Sequence, residues 1–272
     1  MQGAPLLGVA FSIGALTADK AAALAVFAAA SVLLVAHIFV VNDWAGMSAD
    51  LNDPNKAASV FVTRGIRRND VGYLAIALLA ASLVLFGLLS PRTLVIASII
   101  ALLGFLYSFP AFHAKGVPLL SSAAHLVGGL LHFLLGYALF APIDARGMQI
   151  ALFFALTVTA GHLNQEARDY DGDRLNGIRT NAVAFGRTRT FVAGFVLFTV
   201  SYGYLVLLAA RGVIPWPLML TGILYPAHLY WSFKTWRAGL TFRSITLMRM
   251  RYRLLFAIIG VSMLAALLFG RP

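Results

Sequence analysis

Residues 23–41 read ALAVFAAASVLLVAHIFVV, without a single charge, and run directly into NDWAGMSADLNDPNK at residues 42–56. The first stretch matches what a bilayer-crossing helix needs, about 20 mostly apolar residues. The second closes it with carboxylates. Comparable apolar runs recur at roughly 71–90, 92–110, 119–140, 148–165, 190–210, 216–234 and 253–270, with a shorter one at 3–16. They are continuous rather than alternating, which argues against a closed barrel of strands. The reading is an all-α polytopic membrane bundle of about nine transmembrane helices, or eight if residues 3–16 lie in the interface. One transmembrane unit then covers residues 1–272, with acidic loops at about 42–70 and 164–189.

Composition points the same way. Of 272 residues, 60% are hydrophobic and only 11% charged, with no cysteine. A soluble domain carries about 45–50% apolar and about 25% charged residues, and a core of this size cannot hide such an excess from water. The lack of cysteine excludes a disulfide scaffold and a thiolate zinc site. The net charge of +11 does not read as a nucleic-acid surface, because the basic residues are spread through short connections. Only Lys20, Arg92, Arg146, Arg211 and Arg271 fall on one side, and the other 16 of the 21 Lys and Arg fall on the opposite side. The positive-inside rule makes that second side cytoplasmic, together with the N-terminus. The expected setting is the plasma (inner) membrane. The opening MQGAPLLGVAFSIGAL lacks the basic leader of a cleavable signal.

The acids do not follow that rule, since Asp and Glu contribute little to topology. Yet eight of the ten sit on the predicted cytoplasmic side: Asp43, Asp50, Asp53 and Asp70, then Glu166, Asp169, Asp171 and Asp173. The second group lies in NQEARDYDGDRLNGIRT at residues 164–180. Laying Asp43 on Glu166 puts Gly46 on Asp169 and Asp50 on Asp173, so the two segments look like copies from two four-helix-like repeats. A site at the junction of internal repeats is a known membrane architecture. Helical spacing lines up Glu166, Asp169 and Asp173 on one face, and Asp43 with Asp50 on another, while Asp171 falls nearly opposite. Two such lines facing each other form an oxygen-rich pocket suited to Mg2+, which keeps waters and bridges to phosphates.

These motifs resemble those of the UbiA superfamily of intramembrane prenyltransferases, whose first motif reads N-D-x-x-D-x-x-x-D and second D-x-x-D-x-x-x-D. This chain shows Asn42, Asp43 and Asp50, then Glu166, Asp169 and Asp173, followed by Gly177, Thr180, Phe185 and Gly186. The family's tyrosine–serine–proline–lysine stretch looks like Tyr107, Ser108, Pro110 and Lys115. Gly46 replaces the first motif's middle acid, which leaves Asp53, Asn42 or water to supply that ligand. The family's Arg-Pro pair after the first motif is absent. The resemblance implies a Mg2+-dependent enzyme moving a polyprenyl group from its diphosphate to a lipophilic acceptor, often aromatic, in quinone, pigment or related lipid synthesis. Asp43, Asp50, Glu166, Asp169 and Asp173 would then be the catalytic metal ligands. Lys56, Arg64, Lys115 and Arg168 are the candidate cations for the diphosphate, with Asn42, Tyr107, Ser108, His162 and Asn164 as further substrate contacts. Membrane lipid, and no nucleic acid, is the expected surrounding partner.

Other features carry less. His162 lies one turn deeper than Glu166, either at an acceptor site or in a structural hydrogen bond. His125 and His132 are expected to bond between helices, and Gly128, Gly129 and Gly136 to let helices approach closely. Arg249, Arg251 and Arg253 read as a topology anchor near anionic lipid. Two alternatives stand beside the enzyme: a transporter with an acidic cation site, which would place its acids near the membrane midplane, and a diverged terpene cyclase or inactive relative.

Overall fold

The computed structural model describes residues 3–109, 111–112 and 114–269, and Pro110 and Arg271 lie outside them. Helix α1 spans Gly3–Ser12 and α2 Ala18–Asn52. Thr17 caps α2, accepting from the Lys20 amide, and Asp19 complements the dipole of its first turn. The helix does not stop where the apolar run stops. It continues through the first acidic motif until Asp53, where the following Pro54 disfavours helical backbone. At 35 residues and about 1.5 Å per residue it outruns a hydrocarbon core of about 30 Å. Its acid-bearing turns therefore project beyond the apolar layer.

Helices α3 (Arg68–Leu89), α4 (Pro91–Ser108) and α5 (Leu120–Tyr137) follow. Helix α6, Ala145–Leu175, repeats the design of α2. Asp144 caps it by accepting from the Gly147 amide at 2.7 Å, and it ends at Asn176 and the left-handed Gly177. The segments 42–70 and 164–189, expected as loops, are thus helical as far as Asn52 and Leu175. Nothing before Pro54 and Gly177 breaks either helix. Short α7 (Asn181–Phe185) leads into α8 (Arg187–Ala210), then α9 (Tyr225–Arg237) and α10 (Phe242–Phe269).

Among the described residues, six helices are long and apolar enough to cross a membrane: α2, α3, α4, α5, α8 and α10. The other three apolar runs are present in different form. Residues 148–165 belong to α6, whose second half is polar. Residues 216–234 divide into a 3-10 stretch, Trp216–Leu224, and α9. Residues 3–16 yield only the ten residues of α1. The outward faces are apolar, with Leu88, Ile223 and Phe269 exposed by 76%, 81% and 86%. A water-facing surface does not carry so many large aliphatic groups.

Packing follows the two-copy reading. Helix α2 lies against α3 as α6 lies against α8, while α1 and α5 meet each other and α6 runs through the middle. Buried polar groups stitch α2 to α3: His37 Nδ1 is 2.8 Å from the Ala75 carbonyl, and Ser82 Oγ donates to the Ala30 carbonyl at 2.9 Å. Apolar clusters around Phe27, Phe86 and Ile100, and around Phe133, Phe153 and Tyr202, fill the two halves. Backbones touch where α1 crosses α5, since a Cβ on Gly136 would fall 1.8 Å from the Pro5 carbonyl oxygen. A Cβ on Gly129 would fall 2.9 Å from Ala155 Cα, whereas one on Gly128 would meet nothing within 4 Å. Gly128 therefore does not serve the close approach expected of it. Gly136→Ala and Gly129→Ala should each destabilise the bundle by about 1–3 kcal/mol, and Gly128→Ala should leave it unchanged, as read by thermal unfolding in detergent.

Candidate functional site

The ends of α2 and α6 are tied to each other. Asn52 Nδ2 donates to Asn176 Oδ1 at 3.1 Å, and Asn176 Nδ2 donates back to the Ala49 carbonyl at 3.0 Å. Asp53 is buried against α6, where a Cβ on Gly172 would strike its carboxylate, and it accepts from Asn55. Asp53 also lies 3.9 Å from the Lys56 ammonium, and it is not among the residues lining the cavity beside the helices. Gly46 leaves its own place on α2 without a side chain. A side chain there would meet nothing closer than Asp50 Oδ2 at 3.7 Å, so the position is open.

That cavity measures about 1220 Å³. Asn42, Asp43, Asp50, Lys56, Tyr107, Ser108, Lys115, His162, Glu166, Arg168, Asp169 and Asp173 all line it. Two expected contacts do not. Arg64 is exposed on a 3-10 turn, Phe61–Arg64. Asn164 is buried with its amide turned to Gly194 of α8, because the helix rotates that position away from the acid-bearing face. Asp171, nearly opposite the acid line, pairs with Arg187 across α6.

Between the two acid pairs stands Lys56. Its Nζ lies 3.4 Å from Asp50 and 3.3 Å from Asp169, one carboxylate from each copy. Burial works against its charge, but Asp169, Asp50 and Asp173 outweigh it and hold the ammonium above its ordinary pKa. Asp169 is also gripped in a two-pronged contact by Arg168, at 2.6 and 2.9 Å. Among the described residues no three acids or histidines already form a cage for an ion. The carboxylates form two groups with a cationic group between them. Such an all-oxygen set suits a hard cation that completes its shell with water and phosphate oxygens.

Glu166 is engaged differently. Ser121 Oγ donates to Oε1 at 2.9 Å, and Oε2 receives the Asn181 side chain at 2.8 Å and its backbone amide at 3.2 Å. His162 Nε2 is 3.1 Å from Oε1 but off the line a hydrogen bond requires. These partners are buried and local, unlike the long side chains on Asp169. Asn181 also accepts from the Leu119 amide at 2.7 Å, fastening the strained end of the segment that bears Lys115. Sequence reasoning missed Asn181; its place just after Gly177 and Thr180 was the available signal.

Below the acids the wall is aromatic. The His125 and His162 rings stack at 3.6 Å, and Tyr107 meets His125 edge-on at 5.0 Å. His125 and His132 bond to the carbonyls of Ser121 and Gly128 on their own helix, not to a facing one. The one-turn spacing within a helix makes those carbonyls the nearest acceptors. Phe153, Phe154, Tyr252 and Phe256 continue the lining, which then reaches the outer surface between α1 and α10 at Leu6, Val261 and Leu264.

The arrangement has relatives. A digeranylgeranylglyceryl phosphate synthase of Natronomonas pharaonis is 30% identical over 238 residues, 84% of this chain and 79% of that protein. A UbiA homolog from Archaeoglobus fulgidus bound to GPP and Mg2+ superposes with a TM-score of 0.70 at 17% identity, covering 97% of this chain and 95% of that one. The apo structure of a UbiA homolog from Aeropyrum pernix K1 gives 0.74 at 18% identity, with 96% of each chain covered. The family model for UbiA prenyltransferases matches residues 4–251. Matched by that model over nearly its whole length, the chain belongs to the UbiA prenyltransferase family.

Proposed function

We propose that this prenyltransferase moves a polyprenyl group from its diphosphate to an acceptor drawn sideways from the bilayer, with Mg2+ as its metal. The reading is carried by the convergence of the α2 and α6 acids and Lys56 on one cavity that runs to an apolar opening. Asp43 and Asp50 on one side, and Asp169 and Asp173 on the other, would hold Mg2+ against the diphosphate. The metal's part is to neutralise charge on the departing diphosphate as its bond to the prenyl carbon breaks. The chain's own groups do the rest. Lys56 and Lys115 line the same end and meet the diphosphate oxygens as they gain charge. The Tyr107, His125 and His162 rings would exclude water beneath the reacting carbon, where a π face can stabilise an allylic cation. Phe153, Phe154 and Phe256 receive the hydrocarbon tail.

The Natronomonas relative's name is that of a digeranylgeranylglyceryl phosphate synthase, and the motif resemblance implies an acceptor that is often aromatic. Both acceptors carry a hydroxyl or an activated ring that an allylic cation alkylates. The side opening favours an acceptor that is itself an amphiphile. A transporter is disfavoured because the acids sit at helix ends that overshoot the apolar layer.

Purified protein given geranylgeranyl diphosphate and Mg2+ should release diphosphate and form product. Asp50→Asn and Asp169→Asn should each lower that rate by about a hundredfold, and no loss in either would overturn the assignment of the acids. Gly46→Asp, filling the open position of the first motif, should lower the Mg2+ concentration for half-maximal rate. The acid-bearing end is proposed to face the cytoplasm. Since the chain has no cysteine, single cysteines at Asn69 and Gly212 should be labelled by an impermeant maleimide from opposite sides of sealed vesicles.

A further inference from the structure

Helix α10 begins well before its apolar run, and this turns a basic stretch into a helix face. Arg251 projects away from the cavity, with its guanidinium 5.6 Å from the Trp231 ring. Arg249 and Arg253, one turn apart, line the cavity beside Gln165 and Arg168. Arg249 donates to Gln165 Oε1 at 2.9 Å, while its Nε is buried with no acceptor among the described residues. Neither Arg249 nor Arg253 has a carboxylate partner among the described residues; the cavity acids pair with Lys56 and Arg168 instead. Arg168 and Arg253 are near enough for their charge to act on Arg249. Arg249 is half-buried beside like charges and without a counter-ion, a costly state that an oxyanion relieves, and Arg253 is the exposed member of the pair.

Location narrows the role. Gln165 precedes Glu166, so these arginines stand at the height of the acids. They belong to another wall, because α10 packs on α6, α9 and α1, whereas Lys56 follows α2. Further along α10, Gly260, Val261 and Leu264 line the side opening. Arg253 to Leu264 is eleven residues, about 16 Å of helix, close to the length of a dodecyl chain. One helix thus presents two arginines at the level of the acids and an apolar rail leading inward.

We propose that Arg249 and Arg253 bind the oxyanionic head of the acceptor, so that the acceptor is an anionic amphiphile and not a neutral one. This rests on the prenyltransferase reading above for the word acceptor, though not for the binding itself. A phosphate head and a carboxylate head share the chemistry, since a guanidinium fork pairs with both.

The test titrates the full chain in neutral detergent with dodecyl phosphate, and separately with dodecanoate, without Mg2+ or prenyl diphosphate, following tryptophan fluorescence. Saturable binding is expected for one of them, and which one identifies the head. Arg249→Gln and Arg253→Gln should each weaken it by about tenfold, Arg249→Lys should restore part, and Arg251→Gln should bind as the native chain does. Affinity for geranylgeranyl diphosphate with Mg2+, measured in parallel, should be unchanged by Arg249→Gln. Binding of neither probe, binding indifferent to both arginines, or binding lost only in Lys56→Gln would overturn the proposal. If geranylgeranyl diphosphate does not bind the native chain, the donor reading fails while the anion titration still decides the clamp.

Discussion

Four aspartates face one small space, and their mutual repulsion is the constraint the rest of the molecule answers. Unit charges a few ångströms apart in a poorly screened site repel by several kcal/mol. Two devices oppose this. The Asn52–Asn176 exchange and the Asp53 contact with Gly172 pin the helix ends mechanically. Lys56, touching Asp50 and Asp169 together, supplies the charge. Its ammonium lies between the two acid groups, on a flexible stem that follows the end of α2.

The position of the site follows from helix length. Both acid-bearing helices exceed the apolar layer, so the charges stand at the interface while the same helices wall the cavity below. A substrate with an anionic head and a hydrocarbon tail matches that division. Carboxylates and amines line one end of the cavity, and Phe153, Phe154 and Phe256 line the other. The aromatic and imidazole rings in between occupy the level where a cationic carbon needs protection from water.

Much of this was legible in the sequence, and what was not has physical causes. Apolar runs reported the spans because lipid imposes a minimum length on them. The acid spacing reported a common helix face because 3.6 residues make a turn. Helix continuity through the motifs was hidden, since hydropathy marks where lipid ends and not where hydrogen bonding ends. For the same reason the helix through Arg249, Arg251 and Arg253 was hidden: charge in a hydropathy window looks alike on a helix and off one. Asn164 was misplaced because a residue only two before an acid points about 200° away around the helix. Asn181 had no charge to attract notice, yet it fastens Glu166, Ser121 and Leu119 at once.

The glutamate at position 166 carries one methylene more than the aspartate that the family pattern has there. That extra carbon lets its carboxylate bridge Ser121 on α5 and Asn181 at the start of α7. An ionised carboxylate offers about four lone-pair directions, and these neighbours occupy most of them. Glu166 in the second half is thus held by its neighbours, while the first half has Gly46 where its motif would place an acid. Each half keeps two further carboxylates on the cavity, Asp43 and Asp50 in one and Asp169 and Asp173 in the other, of which only Asp50 and Asp173 hold matching places, so the two copies agree in charge more closely than in sequence.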